Sequence, residues 1–129
     1  MAILGKQAER IYGLMRFVVG FLFACHGAQK LFGAFGGQKM TGNTLLTIAA
    51  VIELVGGSLV ALGLLTSTAA FICSGEMAVA YFKAHAAASF WPVVNKGELA
   101  VLFCFVFLYI AAHGPGALSL DSAARRSRA

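Results

Sequence analysis

The stretch from Arg16 to Gly33 limits most sharply what this chain can become. It is apolar enough to cross a bilayer, yet it carries Arg16 near one end and His26, Gln29 and Lys30 near the other. Gly20, Ala24 and Ala28 recur every four residues. On a helix they form a smooth stripe that lets a neighbouring backbone come close. Charge inside a membrane segment is unfavourable by several kcal/mol unless it is paired or wetted. The remainder of the chain must therefore supply partners for these residues.

The composition agrees with a lipid environment. Of 129 residues, 60% are apolar and only 12% charged, and the mean hydropathy is +0.83. These values lie well outside soluble averages and leave room for one membrane domain, residues 1–129. The net charge of +5 does not indicate nucleic acid. Arg125, Arg126 and Arg128 sit in the tail and Lys6, Arg10 and Arg16 near the other terminus, the pattern of helix ends facing the cytoplasm. Cys25, Cys73 and Cys104 fall in three different apolar runs without C-x-x-C spacing and read as small packers. Basic residues followed by Phe17–Ala24 resemble a signal peptide. Phe23 is too bulky for a cleavage box and the run continues to Phe32, so the segment is expected to be retained.

Four spans are predicted, at about Ile11–Phe32, Thr44–Leu65, Thr68–Ala88 and Lys96–His113. The glycine-rich Gly33–Asn43 connection cannot hold a helix and lacks the ending of a phosphate loop. Asn43 or Thr44 can cap the second span. Thr66-Ser67 reads as a very short turn, which makes spans two and three antiparallel neighbours. Ser89-Phe90-Trp91-Pro92 closes the third, and Gly114-Pro115-Gly116 stops the fourth before a basic tail. The expected fold is all-α, a transmembrane four-helix bundle. An even number of spans puts both termini on one side, and the Lys/Arg balance makes that side cytoplasmic.

Three carboxylates fall where charge is unfavourable. Glu53 and Glu76 lie about nine residues into their spans, about 13 Å deep at the helical rise. Glu53 shares a stripe with Ala49, Gly57 and Ala61, and Glu76 shares one with Cys73, Ala80 and Ala84, seven residues before Lys83. Glu98 opens the fourth span. The topology gathers His26, Gln29, Lys30, Lys83, His85 and Glu98 at the end away from the termini, over a floor of Glu53 and Glu76. A carboxylate at that depth stays charged only beside a cation such as Lys30 or Lys83. Arg16 lies apart and is expected to snorkel to the headgroups. Two readings stay open: structural ion pairs that fix helix packing, or the lining of a cavity for a small polar or quinone-like molecule. The ligand-binding candidates are Arg16, His26, Lys30, Glu53, Glu76, Lys83 and Glu98.

Other chemistry has little support. There is no Ser/His/Asp order, no G-x-S-x-G and no H-x-x-x-H spacing, so no metal site is expected. His113 reads as a helix-end cap.

The residues resemble the DoxX family of small four-helix bacterial membrane proteins. The resemblance rests on Arg16, Gly20, Phe23, His26-Gly27 and Lys30-Leu31-Phe32-Gly33 in the first span. Glu53-Leu54-Val55-Gly56-Gly57 and Leu62-Gly63-Leu64 carry it in the second, and Gly97-Glu98 at the start of the fourth. Gly114-Pro115-Gly116-Ala117-Leu118-Ser119-Leu120-Asp121 completes it. Resemblance implies a four-helix membrane bundle. One branch of the family is the membrane subunit of a thiosulfate:quinone oxidoreductase; another belongs to a membrane complex for thiol and oxidative-stress control. The expected role is thus a multi-pass inner-membrane protein on the quinone side of a redox complex. Lys30 and His26 would donate to a quinone carbonyl, tuned by Glu53 or Glu98. No intrinsic cofactor is expected, with quinone as the candidate ligand. Candidate partners are the lipid bilayer, a soluble or membrane redox protein and a second copy of the chain, but not nucleic acid. The alternative is a non-enzymatic scaffold or a small-solute carrier.

Overall fold

The computed structural model describes residues 1–129, and all its regular elements are helical. A 3-10 turn, Gly5–Gln7, leads into α1, Ala8–Phe32. Gly33 ends α1 in the left-handed region (φ 69°), where glycine has no Cβ to clash, and its N–H closes on the Gln29 carbonyl. Helix α2 runs Thr44–Leu62. The Asn43 side chain caps it by accepting from the Leu45 and Leu46 N–H groups. Inside α2, residues Ile52–Gly56 form a wider π turn. Then come α3, Thr66–Ala84, the short α4, Pro92–Asn95, α5, Glu98–His113, and α6, Leu120–Arg128.

Several boundaries differ from the sequence expectation, and two of the shifts have a plain backbone reason. Gly63 (φ 70°) and Leu65 (φ 49°) turn the chain before Thr66. The connection is therefore Gly63–Leu65, and Thr66 and Ser67 belong to α3. At the other end α3 stops at Ala84, short of Ala88. Lys96, with φ 62°, breaks the path between α4 and α5, so α5 starts at Glu98 and is only about 24 Å long. The basic tail forms a helix of its own: Ser119 accepts from the Ser122 N–H and caps α6.

The long helices pack as two pairs, α1 against α2 and α3 against α5. Gly20 and Gly57 set the first contact. A Cβ on Gly20 would lie 2.5 Å from the Ala61 nitrogen, and one on Gly57 would lie 2.6 Å from that of Ala24. Only glycine permits backbones this close. In the second pair, the Ser74 hydroxyl donates to the Cys104 carbonyl at 2.8 Å. The pairs join through the fully buried Phe23, whose ring meets Phe103 and Phe107 at 5.1 and 4.7 Å. Contacts of α3 with α2 are made by the π turn and Gly57–Leu62. Toward Thr44 and Ala84 the same two helices bound a cavity instead.

Residues Gly5–Phe32 and Thr44–Leu62 are long and apolar enough to cross a membrane, with mean hydropathy 1.5 and 2.2. Large apolar side chains also face outward on all four long helices, among them Phe21, Val55, Phe71 and Phe105. An exterior apolar on every side suits lipid.

Candidate functional site

The cavity, about 580 Å³, lies at the end of the bundle away from the termini. Its walls are mainly apolar: Leu45, Ile48 and Ile52 from α2, Ile72 and Val79 from α3, and Leu99 and Phe103 from α5. Into it converge His26, Lys30, Glu53, Glu76, Lys83, His85 and Lys96. Five of the seven sequence candidates thus share one space. Gly75, on the α3 wall, has open space where a Cβ would stand.

The polar end is built on α1 and α2. Lys30, in the last turn of α1, donates from Nζ to Glu53 Oε1 at 2.6 Å. The lysine side chain is 28% exposed and the glutamate only 2%, so the pair has a wet end and a dry one. Burying a charge in this way is tolerated because its partner is a full opposite charge. Glu53 lies within the π turn; such wider turns recur at functional sites. The second oxygens, Glu53 Oε2 and Glu76 Oε2, are buried with no hydrogen-bond partner. Glu53, ionised beside Lys30, only accepts hydrogen bonds, so its open oxygen calls for a donor. Lys83 and Lys96 are exposed at the rim.

Glu98 does not line the cavity: it is exposed in the first turn of α5, where a negative charge complements the helix dipole. Gln29 is also absent from the lining. Arg16 requires a larger correction. It neither snorkels nor reaches the cavity but is 3% exposed at the opposite end of the bundle. Its Nε donates to the Val60 carbonyl at 2.9 Å and Nη2 to the Leu118 carbonyl at 2.8 Å. The Ala61 and Pro115 carbonyls accept as well. Val60 and Ala61 stand in the last turn of α2, where carbonyls run out of helical partners; Val60 also accepts from the Gly63 N–H at 3.1 Å, and the guanidinium supplies the remaining donors. Asp121 completes this knot. It accepts from the Leu65 and Thr66 N–H groups, both at 3.0 Å, and from the Thr66 hydroxyl at 2.8 Å, capping α3. His113, expected to cap a helix end, has Nδ1 3.4 Å from the Gly114 carbonyl at the end of α5, and its ring also stacks on Tyr12 at 3.8 Å and contacts Glu9.

Sequence reasoning missed the bracket at the cavity rim. Asn95, 7% exposed, donates to the Tyr81 hydroxyl at 3.0 Å and the Ser89 carbonyl at 2.9 Å, and accepts from the Gly97 N–H at 2.8 Å. Its carbonyl is 3.1 Å from His85 Nδ1. The only sequence cue was Pro92 opening a helical turn three residues earlier.

The sequence model of the DoxX family matches residues 12–86. An uncharacterized protein of Haemophilus influenzae (strain ATCC 51907 / DSM 11121 / KW20 / Rd) is 42% identical over 126 residues, spanning 92% of this chain and 94% of that protein. No solved structure matches the chain. The family match covers most of α1 and all of α2 and α3, and therefore Lys30, Glu53 and Glu76. It extends over more than half of the sequence, and with the long apolar helices it identifies a membrane protein: the chain belongs to the DoxX family.

Proposed function

We propose that this chain is one multi-pass domain of the bacterial inner membrane, its four long helices crossing the bilayer and both termini in the cytoplasm. In this reading the cavity binds a small membrane-soluble molecule of the quinone class. The chain would serve as the quinone-side subunit of a redox complex for thiol, sulfur or oxidative-stress chemistry, with electrons delivered by a partner protein. The single observation that carries the reading is the buried Lys30–Glu53 pair opening onto an apolar-walled cavity with Glu76 beside it.

The residues fit such a ligand. Apolar walls from three helices suit a ring and a hydrocarbon tail, while a few polar groups at one end fix its head. His26 and Lys30 would orient a ring oxygen, and Glu53 would hold the Lys30 ammonium in place. A quinone supplies two-electron redox chemistry when bound. The protein's part is to hold the head, exclude bulk water and supply protons at the lysine and carboxyl groups. Basic residues at the termini support a cytoplasmic location for that end: Lys6, Arg10, Arg125, Arg126 and Arg128 gather there.

The test is mass spectrometry of small molecules and lipids that copurify with gently solubilised protein, wild type beside Glu53→Gln. A quinone-type molecule in stoichiometric amount, lost in the variant, is the expected result. If neither protein retains one and both melt alike, the quinone reading falls and a scaffold role takes its place.

A further inference from the structure

We infer that the cavity opens sideways into the bilayer through a gap between α2 and α3, and that its ligand is an amphiphile whose hydrocarbon tail leaves through that gap past Gly75. This deepens the quinone reading above and rests on it. The two helices touch at the π turn, where a Cβ on Gly56 would lie 2.5 Å from Cys73 Sγ. Thr44–Val51 packs on α1 instead, and the cavity stands between it and the part of α3 toward Ala84. Ile48 and Ile52 flank the gap from α2, and Ile72, Gly75 and Val79 flank it from α3. Ile48, Ile72 and Val79 line the cavity and are also 53, 50 and 51% exposed, so no side chain seals it on this side. Toward α1 and α5 the wall is closed, because Phe23 and Phe103 lie ring to ring at 5.1 Å and are buried.

Gly75 sets the width of the opening. Glycine weakens a helix interior, so its presence there asks for a reason. The other glycines inside the long helices serve close packing: a Cβ on Gly13, Gly20, Gly27, Gly56 or Gly57 would meet a neighbour at 3.3 Å or less. Around Gly75 nothing stands within 4 Å. Helix packing does not require this glycine, and its missing side chain leaves an open threshold about 13 Å from either end of α3, at the depth of lipid chains. The two ways out of the cavity differ in chemistry. Lys83, His85 and Lys96 stand at the outer rim, where methylene groups would meet charge and water. Past Gly75 they would meet acyl chains as apolar as themselves. A polar head at Lys30 and Glu53 with its tail through the gap suits both ends.

The experiment measures binding of two probes to the full chain in lipid nanodiscs: a benzoquinone bearing a decyl tail, and the same ring with a methyl group in place of the tail. Affinities are expressed against probe concentration in the lipid, so that partitioning cancels. Gly75→Phe, which fills the threshold, should weaken binding of the decyl probe at least about tenfold more than that of the methyl probe. Val79→Trp, one helical turn along the same edge, should do the same and decides the matter if Gly75→Phe does not fold. On the wild-type chain, a decyl probe with a photoreactive diazirine in its tail should label α2 or α3 beside the gap. Equal loss of both probes would make Gly75 part of the head site. Loss of neither, or labelling confined to α1, α5 or the rim, would route the tail elsewhere. Each of these results overturns the inference and leaves the quinone reading intact. If neither probe binds the wild-type chain, the quinone reading fails and the inference falls with it.

Discussion

Arg16 and Glu76 both sit on long helices with apolar outward faces, and the protein handles their charges in opposite ways. Around Arg16 the demand is met on all sides: four backbone carbonyls accept from one guanidinium. Asp121, a few residues along, satisfies the start of α3 in the same knot. Around Glu76 a buried oxygen accepts nothing, and a cavity opens beside it. Satisfied polar groups rigidify a fold, whereas unsatisfied ones weaken it unless a ligand completes them. The contrast separates two uses of buried charge: the termini end is tied together, and the far end is left able to bind.

Substitution at Arg16 should show the largest effect. Arg16→Met removes the donors that tie the end of α2 to the Pro115–Leu118 segment, and a loss of roughly 3 kcal/mol is expected in detergent unfolding. Arg16→Lys should recover only part of it, because an ammonium lacks the planar fork that reaches several carbonyls at once. Full rescue by lysine would break the comparison, leaving only a charge requirement.

Next comes Gly20→Leu, which drives a side chain into the Ala61 backbone and should destabilise by about 1–3 kcal/mol. By forcing α1 from α2 it should also separate Lys30 from Glu53, and ligand retention would fall with stability. Retention that survives intact would show that the cavity does not depend on this crossing.

Removing the cap by Asp121→Ala is expected to reduce stability by about 1 kcal/mol. Burial alone would raise the Asp121 pKa. The Thr66 N–H and hydroxyl, the Leu65 N–H and the nearby Arg125 outweigh it and hold the carboxyl below its ordinary value of 3.8. A folded-state pKa below the unfolded one adds stability above the unfolded value, and that stability is lost as pH falls through the folded value. The wild-type melting curve should therefore lose this increment in acid, and Asp121→Ala should lack that pH-dependent step. Parallel curves for both proteins would remove Asp121 from the knot.

The smallest effect on stability is expected for Glu76→Gln. No internal partner is broken, so unfolding should shift by less than about 1 kcal/mol while ligand retention in the cavity falls. Collapse of this variant, like that of Arg16→Met, would erase the difference between the two ends and make Glu76 a packing residue.

Parts of both ends were legible in the sequence. The small-residue stripe gave the face on which α1 meets α2, because Gly20 and Ala24 do lie against Gly57 and Ala61. It went astray at Ala28: Gly27 makes the next close approach, against Leu54 and Ala50. Seven residues return a helix to within about 20° of the same face, while eight overshoot it. The depth and face of Glu53 could be read from spacing, but its π turn could not, since a widened turn has no local signature in an apolar run. The tail was read for its charge. Ser119 as a cap, Asp121 in the first turn and arginines in the last spelled a helix that the basic composition obscured.

The sequence by itself determined that the chain suits lipid, that its apolar runs form helices, and which charged residues lie far from a helix end. Those properties follow from composition and from periods of a few residues. Tertiary structure alone decided how each charge is met. Arg16 finds its carbonyls 44 to 102 residues away, and Asp121 reaches Thr66 across 55. Lys30 chose Glu53 over Glu76, although both lie on the same cavity. Such choices depend on which helix ends meet and at what distance, and a few ångströms separate a completed hydrogen bond from a carboxylate left open to a ligand.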